Sequence, residues 1–362
     1  MAPINSIEFG IITKNLVKPY KLSFTTVTSI SSFWVCTADN NGKFGLGEAV
    51  PLPGYGSETL ETMYQFVKGI IPKLIGLSKK EIILKLLPYF PDNAFAASAI
   101  ATATEFPEWT DKICKLNSIP LVYSVSASTS RLNMAEQITN GLKKGYKHFK
   151  MKIGRNLKAD LISGQFVLKE FDGLDCTFRF DANQAYTLKK AEKFCRSLEQ
   201  ANSGAALWLE QPMNRNAWKD TEVLCGKTSI PVMLDESIYN DADIRRAKNI
   251  GCSAVKLKLF KHPGISECLR LASIAKKWGL NVTMGNGVSS DIGNLCEALV
   301  ISEAPNLFVS GSECNGFAKL KEKVAFDQLS LNSGKLIWEK GNDISFDKII
   351  ASLKNQSVNH FF

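Results

Sequence analysis

Charged residues end five strand-like apolar runs in the middle of the chain, and their types could support acid–base and metal chemistry. In chain order they are the Lys150/Lys152 pair, Asp181, Glu210, Asp235 and Lys258. From Lys152 onward, successive members are 23 to 29 residues apart, close to the roughly 30 residues that one strand–helix unit occupies in an eightfold barrel. Active sites of such barrels lie at the carboxyl ends of the strands, so we expect these side chains in one site.

Three of these residues are carboxylates, Asp181, Glu210 and Asp235, on what would be consecutive strands. Hard oxygen ligands of this kind suit an octahedral Mg²⁺ that also binds water and substrate oxygens. No histidine or cysteine ends these runs, which argues against zinc. The sequence therefore predicts a Mg²⁺ cofactor.

The lysines point to proton transfer next to a carboxylate. Residues two apart in a strand face the same side, so Lys150 and Lys152 should project together. Lys150 and the metal would stabilise the enediolate that forms when the α-proton of a carboxylate leaves. Lys152 and Lys258, from opposite sides of the barrel mouth, would remove and return the proton. We expect Mg²⁺ and neighbouring lysines to lower the lysine pKa values enough for this role.

Each pattern alone has a plainer interpretation as solvated surface, helix cap or loop start, and only their order and spacing favour a shared site. Lys256 and Lys258 leave open which lysine faces inward. Lys261 is interpreted as a helix-start or surface charge. Asn286 and Glu313 fit either substrate contacts or structural groups at strand ends.

Length and composition agree with a folded enzyme. The chain has 362 residues, of which 45% are hydrophobic and 22% charged, enough for a barrel and a smaller domain. The net charge of +9 is spread without aromatic-interleaved basic motifs, so we expect no nucleic-acid partner. Nine cysteines without a CxxC pair predict reduced thiols. With no membrane-spanning apolar run and no signal pattern, we expect a cytoplasmic protein without a membrane partner.

Patterning divides the chain into two kinds of structure. Strands are predicted over Ile4–Thr13, Phe33–Thr37 and Phe44–Glu48, followed by helices that Ser57 would cap, up to Cys114. Pro107 should end or kink the last of these helices. From Pro120 onward, strand-like and helical stretches alternate up to an eighth strand at Leu307–Gly311, which predicts a closed parallel barrel. A strand pair and a helix would end the chain.

With these motifs the sequence resembles the enolase superfamily, specifically its muconate-lactonizing-enzyme subgroup. The resemblance also covers Gly47–Tyr55 and Tyr20–Thr26, which are similar to the two specificity loops of the family's capping domain. It implies an α/β fold, a modified TIM barrel of the (β/α)7β type with an α+β capping domain. The implied domains are 1–118 for the capping domain, 119–328 for the barrel, and 329–362 for a segment that packs back on the capping domain.

The same resemblance implies roles for individual residues. It makes Asp181, Glu210 and Asp235 the Mg²⁺ ligands. It makes Lys152 and Lys258 the acid–base pair, with Lys150 beside them. A lysine-x-x-lysine pattern formed with Lys261 selects Lys258 over Lys256. The resemblance adds Tyr20 and Tyr55 as substrate contacts to the candidates Asn286 and Glu313, and the implied assembly is a homo-oligomer of unspecified size.

Two features of the sequence limit the choice of reaction. None of the three histidines ends the seventh strand, where Asn286 stands, so sugar-acid dehydration of the mandelate-racemase type is not expected. Dipeptide epimerases resemble the chain at Asp181–Gln184, yet their Asp-x-Asp at the eighth strand is reduced here to Glu313. The first hypothesis is a racemase or epimerase of an amino-acid derivative or dipeptide. The alternatives are a cycloisomerase, dehydratase or lyase, resembling muconate cycloisomerase or o-succinylbenzoate synthase, and a metal-binding protein without turnover.

Overall fold

A computed structural model describes most of the chain. The described residues are 2–21, 26–51, 56–126, 130–201, 204–309, 311–339 and 345–357. Within these ranges no helix is both long and apolar enough to cross a membrane.

The first strands form an antiparallel sheet in the order β1-β2-β3. Its strands are β1 Ile4–Lys21, β2 Thr26–Asp39 and β3 Phe44–Ala49. Gly42 turns the chain between β2 and β3 with a φ of 73°, and its N–H donates to Asp39 O at 2.9 Å. Glycine adopts this left-handed conformation without a steric penalty, so Gly42 permits the tight turn that joins the two strands.

Four helices follow this sheet. They are α1 Leu60–Ile70, α2 Lys79–Leu86, α3 Phe90–Glu105 and α4 Thr110–Ile113. The cap predicted at Ser57 is wrong, because Thr59 exchanges reciprocal hydrogen bonds with Thr62 at the start of α1. Pro107 interrupts the predicted helix as expected: it lies in a 3₁₀ turn, Phe106–Glu108, that separates α3 from α4.

Two glycines in β3 allow the sheet to lie directly on α3. A Cβ on Gly45 would stand 1.8 Å from Ala103 O, and one on Gly47 would stand 2.1 Å from Ala99 O. Neither position therefore has room for a side chain. This close packing fixes the end of β3, and with it the adjoining Glu48, against the rest of the fold.

Strands and helices then alternate through the second part. The strands are β4 Ile119–Pro120, β5 Val122–Val125, β6 His148–Lys152, β7 Thr177–Asp181, β8 Ala206–Glu210, β9 Val232–Leu234, β10 Ala254–Leu257 and β11 Asn281–Met284. The helices are α5 Arg131–Lys143, α6 Leu157–Glu170, α7 Leu188–Ala201, α8 Trp218–Lys227, α9 Asp241–Asn249, α10 Gly264–Lys277 and α11 Asp291–Glu303. Seven strands pair in parallel in the order β11-β10-β9-β8-β7-β6-β5.

The predicted eighth strand, Leu307–Gly311, is not a regular strand in the part that the structure describes. Pro305 opens a 3₁₀ turn through Leu307, because proline has no N–H for strand pairing. After this turn, Val309 N donates to Val282 O in β11 at 2.9 Å. Ser312 O accepts from Val122 N in β5 at 2.8 Å. The segment thus connects the last and first strands of the sheet, while Ser310 lies outside the described residues.

The last elements are the predicted strand pair and helix. They are β12 Leu329–Asn332, β13 Lys335–Trp338 and α12 Phe346–Gln356. β13 pairs with β4, whereas α12 lies against the first part of the chain: the rings of Phe346 and Phe106 are 6.1 Å apart, and Lys354 pairs with Glu8. The domain limits after residues 118 and 328 stay predictions.

Candidate active site

The five predicted strand-end positions occur at the carboxyl ends of five consecutive parallel strands. Lys152, Asp181 and Glu210 are the last residues of β6, β7 and β8. Asp235 and Lys258 directly follow β9 and β10. Because the strands are parallel and in register, these side chains share one end of the sheet. The structure therefore brings the predicted group together.

Lys150 is buried at the centre of the group. Its Nζ lies 2.9 Å from Asp181 Oδ2, 3.0 Å from Glu210 Oε1 and 2.7 Å from Glu313 Oε1. Burial by itself would lower the pKa of Lys150, but the three carboxylates together outweigh it and raise the pKa well above its ordinary value. Lys150 therefore holds a fixed positive charge.

Lys152 points to the same side as Lys150, as the strand period requires, and its side chain is 40% exposed. Its Nζ donates to Asp181 Oδ2 and to Asn183 Oδ1, both at 2.6 Å. Asp181 is fully buried. Burial favours its neutral form, but Lys150, Lys152 and nearby Lys256 lower its pKa well below the ordinary value. Asp181 is therefore a buried, ionised acceptor next to an accessible amine.

Asp235 contacts the two lysines at the β10 side of the site, Lys258 and Lys261. Its Oδ2 lies 2.8 Å from Lys258 Nζ, and its backbone oxygen accepts from Lys261 Nζ at 2.8 Å. Burial raises the pKa of Asp235, but the lysine charges around it, that of Lys258 above all, lower it below the ordinary value. Interpretation of Lys261 as a surface charge is wrong, since only 2% of it is exposed. Burial lowers the pKa of Lys261 to about 8.

Sequence reasoning missed the part that Lys256 plays. The choice of Lys258 over Lys256 assumed one inward lysine, yet both are buried and both approach Asp235. Lys256 Nζ lies 2.6 Å from Glu210 Oε1 and 2.7 Å from Glu313 Oε1. Residues two apart in a strand face the same side, so the period that paired Lys150 with Lys152 could have identified Lys256. Burial lowers the pKa of Lys256 despite these two carboxylates.

Arg179 is a second residue that the sequence reasoning missed. It lies two positions before Asp181 on the inner side of β7 and is 3% exposed. Its Nη1 lies 3.1 Å from Glu313 Oε1, and its Nη2 donates to Gly311 O at 3.1 Å. Arg179 therefore fixes the closing segment of the barrel to β7.

Glu313 consequently belongs to the polar interior of the barrel. Its Oε1 is bound by Lys150, Lys256 and Arg179. Burial would raise its pKa, but these three cations lower it well below its ordinary value. The negative charge of Glu313 is thus already neutralised by the protein.

Glu236 is a further buried acid in the group, and the sequence reasoning gave it no role. Its Oε1 accepts from Asn183 Nδ2 at 3.1 Å, while no described residue donates to its Oε2. Burial, with the charges of Asp235 and Asp181, raises the pKa of Glu236 to about 7.

The remaining substrate contacts stay predictions. Asn286 Nδ2 donates to Glu297 Oε2 at 2.7 Å, and Asn286 Oδ1 accepts from Ser289 N at 2.8 Å. Tyr20 is in β1, and its side chain lies outside the described part of the structure. Tyr55 lies wholly outside the described residues.

The chemistry of the acids fits a hard divalent cation. Asp181 and Glu210 are 0% exposed, and within the described chain no donor is hydrogen-bonded to Glu210 Oε2. A buried carboxylate oxygen without such a partner is costly unless a cation compensates it, and Arg179 Nη1 lies 3.7 Å from this oxygen. Among the described residues, however, no three acid, histidine or cysteine side chains converge as a ligand set, because the lysine amines lie between the carboxylates. Metal binding would require the amines to move.

Comparison with known proteins gives a family match over more than half of the chain. The family described as "Enolase C-terminal domain-like" matches residues 133–341. An L-Ala-D/L-Glu epimerase from Clostridium acetobutylicum is 25% identical over 300 residues, which cover 78% of this chain and 82% of the relative. An o-succinylbenzoate synthase from Bacillus subtilis is 22% identical over 352 residues, covering 92% of this chain and 91% of the relative.

A solved structure supports the fold class. The dipeptide epimerase from Enterococcus faecalis, complexed with Mg and the dipeptide L-Leu-L-Tyr, superposes with a TM-score of 0.81 at 22% identity. The match covers 93% of this chain and 97% of the epimerase chain. With the parallel seven-stranded sheet and the antiparallel sheet beside it, this confirms the predicted barrel with a capping domain.

Proposed function

The chain belongs to the enolase C-terminal domain-like family, and from this premise we propose that it is a Mg²⁺-dependent racemase or epimerase. The reaction moves a proton on the carbon α to a carboxylate of an amino-acid derivative. The observation that carries the proposal is the arrangement of two amines around a row of buried acids. Lys152 ends β6 and Lys258 follows β10, with β7, β8 and β9 between them.

The proposed metal ligands are Asp181, Glu210 and Asp235. Mg²⁺ held there would supply positive charge to the substrate carboxylate as its α-carbon becomes acidic. Support comes from the burial of all three acids and from the lowered pKa values of Asp181 and Asp235. Lys150 keeps its proton because three carboxylates surround it, and it adds a fixed positive charge at the same place.

The proposed proton carriers are Lys152 and Lys258. In one direction the neutral amine of one lysine takes the α-proton, and the ammonium group of the other gives a proton to the opposite face. In the reverse direction the two lysines exchange roles. In the structure, Lys152 Nζ donates to Asp181 and Asn183, and Lys258 Nζ lies 2.8 Å from Asp235 Oδ2, so both amines stand next to the proposed metal ligands. Two proton carriers on opposite faces of the substrate would account for inversion at the α-carbon.

The environment of Glu313 favours a substrate without a free ammonium group. A carboxylate that recognised a substrate ammonium would need uncompensated negative charge, and Glu313 already binds Lys150, Lys256 and Arg179. We therefore favour an N-acylated amino acid over a dipeptide with a free amino terminus.

Substrate incubation in D₂O tests the proposal. N-acylated amino acids and dipeptides would be incubated with the protein and Mg²⁺, and α-deuteration and optical rotation would be followed. We expect α-deuterium and loss of optical purity, with N-acylated compounds reacting faster. Lys147→Ala is the control variant and should react like the unaltered protein, because Lys147 is an exposed lysine that pairs with Asp175 outside the site. Retention of α-protium throughout the library would contradict the proposal.

The second candidate is a lyase or cycloisomerase that uses the same lysines. It is favoured by the o-succinylbenzoate synthase relative, whose match extends over more of this chain than that of the epimerase. Proton removal followed by loss of a leaving group needs only one of the two lysines as base. Product mass separates the candidates, because water loss changes the mass and epimerisation does not. Ring closure would be detected by absorbance.

A further inference from the structure

A pair of thiols lies at the end of the barrel opposite the acids. Cys225 is in the last turns of α8, and Cys252 lies two residues before β10. The positions are 27 residues apart in sequence, but their Sγ atoms are 3.9 Å apart. The acids occupy the carboxyl ends of the strands, whereas Cys252 lies at the amino end of its strand. Chemistry at this pair would therefore leave the candidate active site intact.

We propose that Cys225 and Cys252 are a site of reversible oxidation and form an intramolecular disulfide. The two sulfurs must approach each other by about 2 Å to reach the S–S bond length. The local backbone favours this approach, because a Cβ placed on Gly251 would lie 3.3 Å from Cys225 Cβ. The chain preceding Cys252 thus passes directly beside Cys225.

The two thiols differ in exposure and in pKa, and a stepwise oxidation requires one thiol that is accessible and ionises first. Cys225 is partly exposed, and Cys252 is buried with 4% exposure. The hydrogen bond from the Cys252 thiol lowers the pKa of Cys225, so Cys225 is the thiol that ionises first. The third thiol of this region, Cys195, is 1% exposed, and burial raises its pKa to about 12. Cys225 is therefore the entry point for an oxidant.

Glutathione disulfide represents the class of oxidant that suits this pair. The Cys225 thiolate attacks one sulfur of the oxidant, which breaks its S–S bond and releases one glutathione thiolate. Cys252 then loses its proton, and its sulfur displaces the second glutathione from Cys225. In total, two protein thiols and one glutathione disulfide become one protein disulfide and two glutathione molecules. The protein loses two hydrogen atoms.

The expected consequence is a more stable chain with unchanged catalysis. The new bond would connect α8 to the start of β10 and restrict the unfolded chain between two positions that are 27 apart in sequence. A cross-link of this length should raise the thermal unfolding midpoint by several degrees. Dithiothreitol should reverse the change.

The experiment treats the full chain with glutathione disulfide, blocks remaining thiols, and maps the peptides without reduction. We expect a linked peptide pair containing Cys225 and Cys252 and a raised unfolding midpoint. Cys195→Ser should still give the linked peptides and the raised midpoint, whereas Cys225→Ser should give neither. Because Cys225 is partly exposed, its serine variant should fold. Exposed Cys114 can take up glutathione independently, and peptide mapping separates that adduct from the linked pair.

Three results would overturn the proposal. The first is Cys225 carrying glutathione with no linked peptide. The second is a link between Cys225 and Cys195 instead of Cys252. The third is that neither Cys225 nor Cys252 reacts under conditions that modify Cys114.

Discussion

Replacement of Lys256 by methionine removes a buried ammonium group while keeping most of the side-chain volume. Lys256 is 0% exposed, and its Nζ contacts Glu210 at 2.6 Å and Glu313 at 2.7 Å. Methionine leaves both carboxylates in place with one cation fewer. Removal of one partner of a buried ion pair costs about 3–5 kcal/mol, because the remaining charge stays desolvated.

The other cations near Glu210 and Glu313 determine where in this range the loss of stability should lie. Lys150 lies 3.0 Å from Glu210 Oε1 and 2.7 Å from Glu313 Oε1, and Arg179 also reaches both acids. These contacts compensate part of the lost charge, so we expect a loss of about 3 kcal/mol in the free energy of unfolding. The exposed pair of Lys227 with Glu192 provides the comparison, and Lys227→Met should cost less than about 1 kcal/mol.

Urea unfolding followed by circular dichroism would measure both variants under identical conditions. A double-mutant cycle with Glu313→Gln isolates the interaction, and the coupling energy between positions 256 and 313 should fall in the range of about 0.5–3 kcal/mol. Our explanation of the site would be refuted if Lys256→Met were no more destabilising than Lys227→Met. It would also be refuted if the cycle gave no coupling.

Metal removal, pH and a helix cap provide three further tests. EDTA should abolish turnover and added Mg²⁺ should restore it, since buried carboxylates form the proposed metal site; full activity in metal-free protein would contradict this. Burial raises the pKa of Glu297 from 4.5 to about 8, so its contribution to stability is complete below pH 4.5 and is lost as the pH rises through 8. Between these two pH values the free energy of unfolding should fall by at most about 1.4 kcal/mol per pH unit. Glu297→Gln should reduce this slope when unfolding is measured in urea. An unchanged slope would show that Glu297 is ionised in the folded chain. Thr59→Ala should cost about 1 kcal/mol through loss of the α1 cap, whereas Ser57→Ala should not change stability.

The strand-end residues could be predicted because one physical rule governs them. Parallel strand–helix units of similar length place the last residue of each strand at the same edge. Asp181 and Glu210 therefore follow from the sequence pattern, as do the strands that carry them. The fold class follows from the same alternation.

Contacts between distant residues could not be read from local patterns. Lys261 resembles a surface charge in its sequence context, but Asp235 O, 26 residues away, accepts its hydrogen bond. Glu313 resembles a strand-end acid, and only the closed barrel places it between Lys150 and Arg179. The irregular closing segment after Pro305 depends on bonds to β11 and β5, which local propensity does not encode.

The most direct test of the two-lysine account is stereospecific exchange by single-lysine variants. Each enantiomer of a responsive substrate would be incubated in D₂O with Lys152→Met or Lys258→Met, and α-deuteration would be followed by NMR. The account predicts that each variant loses exchange from one enantiomer and keeps it from the other, with opposite preferences. Equal loss from both enantiomers in folded variants, or full exchange in either variant, would contradict it.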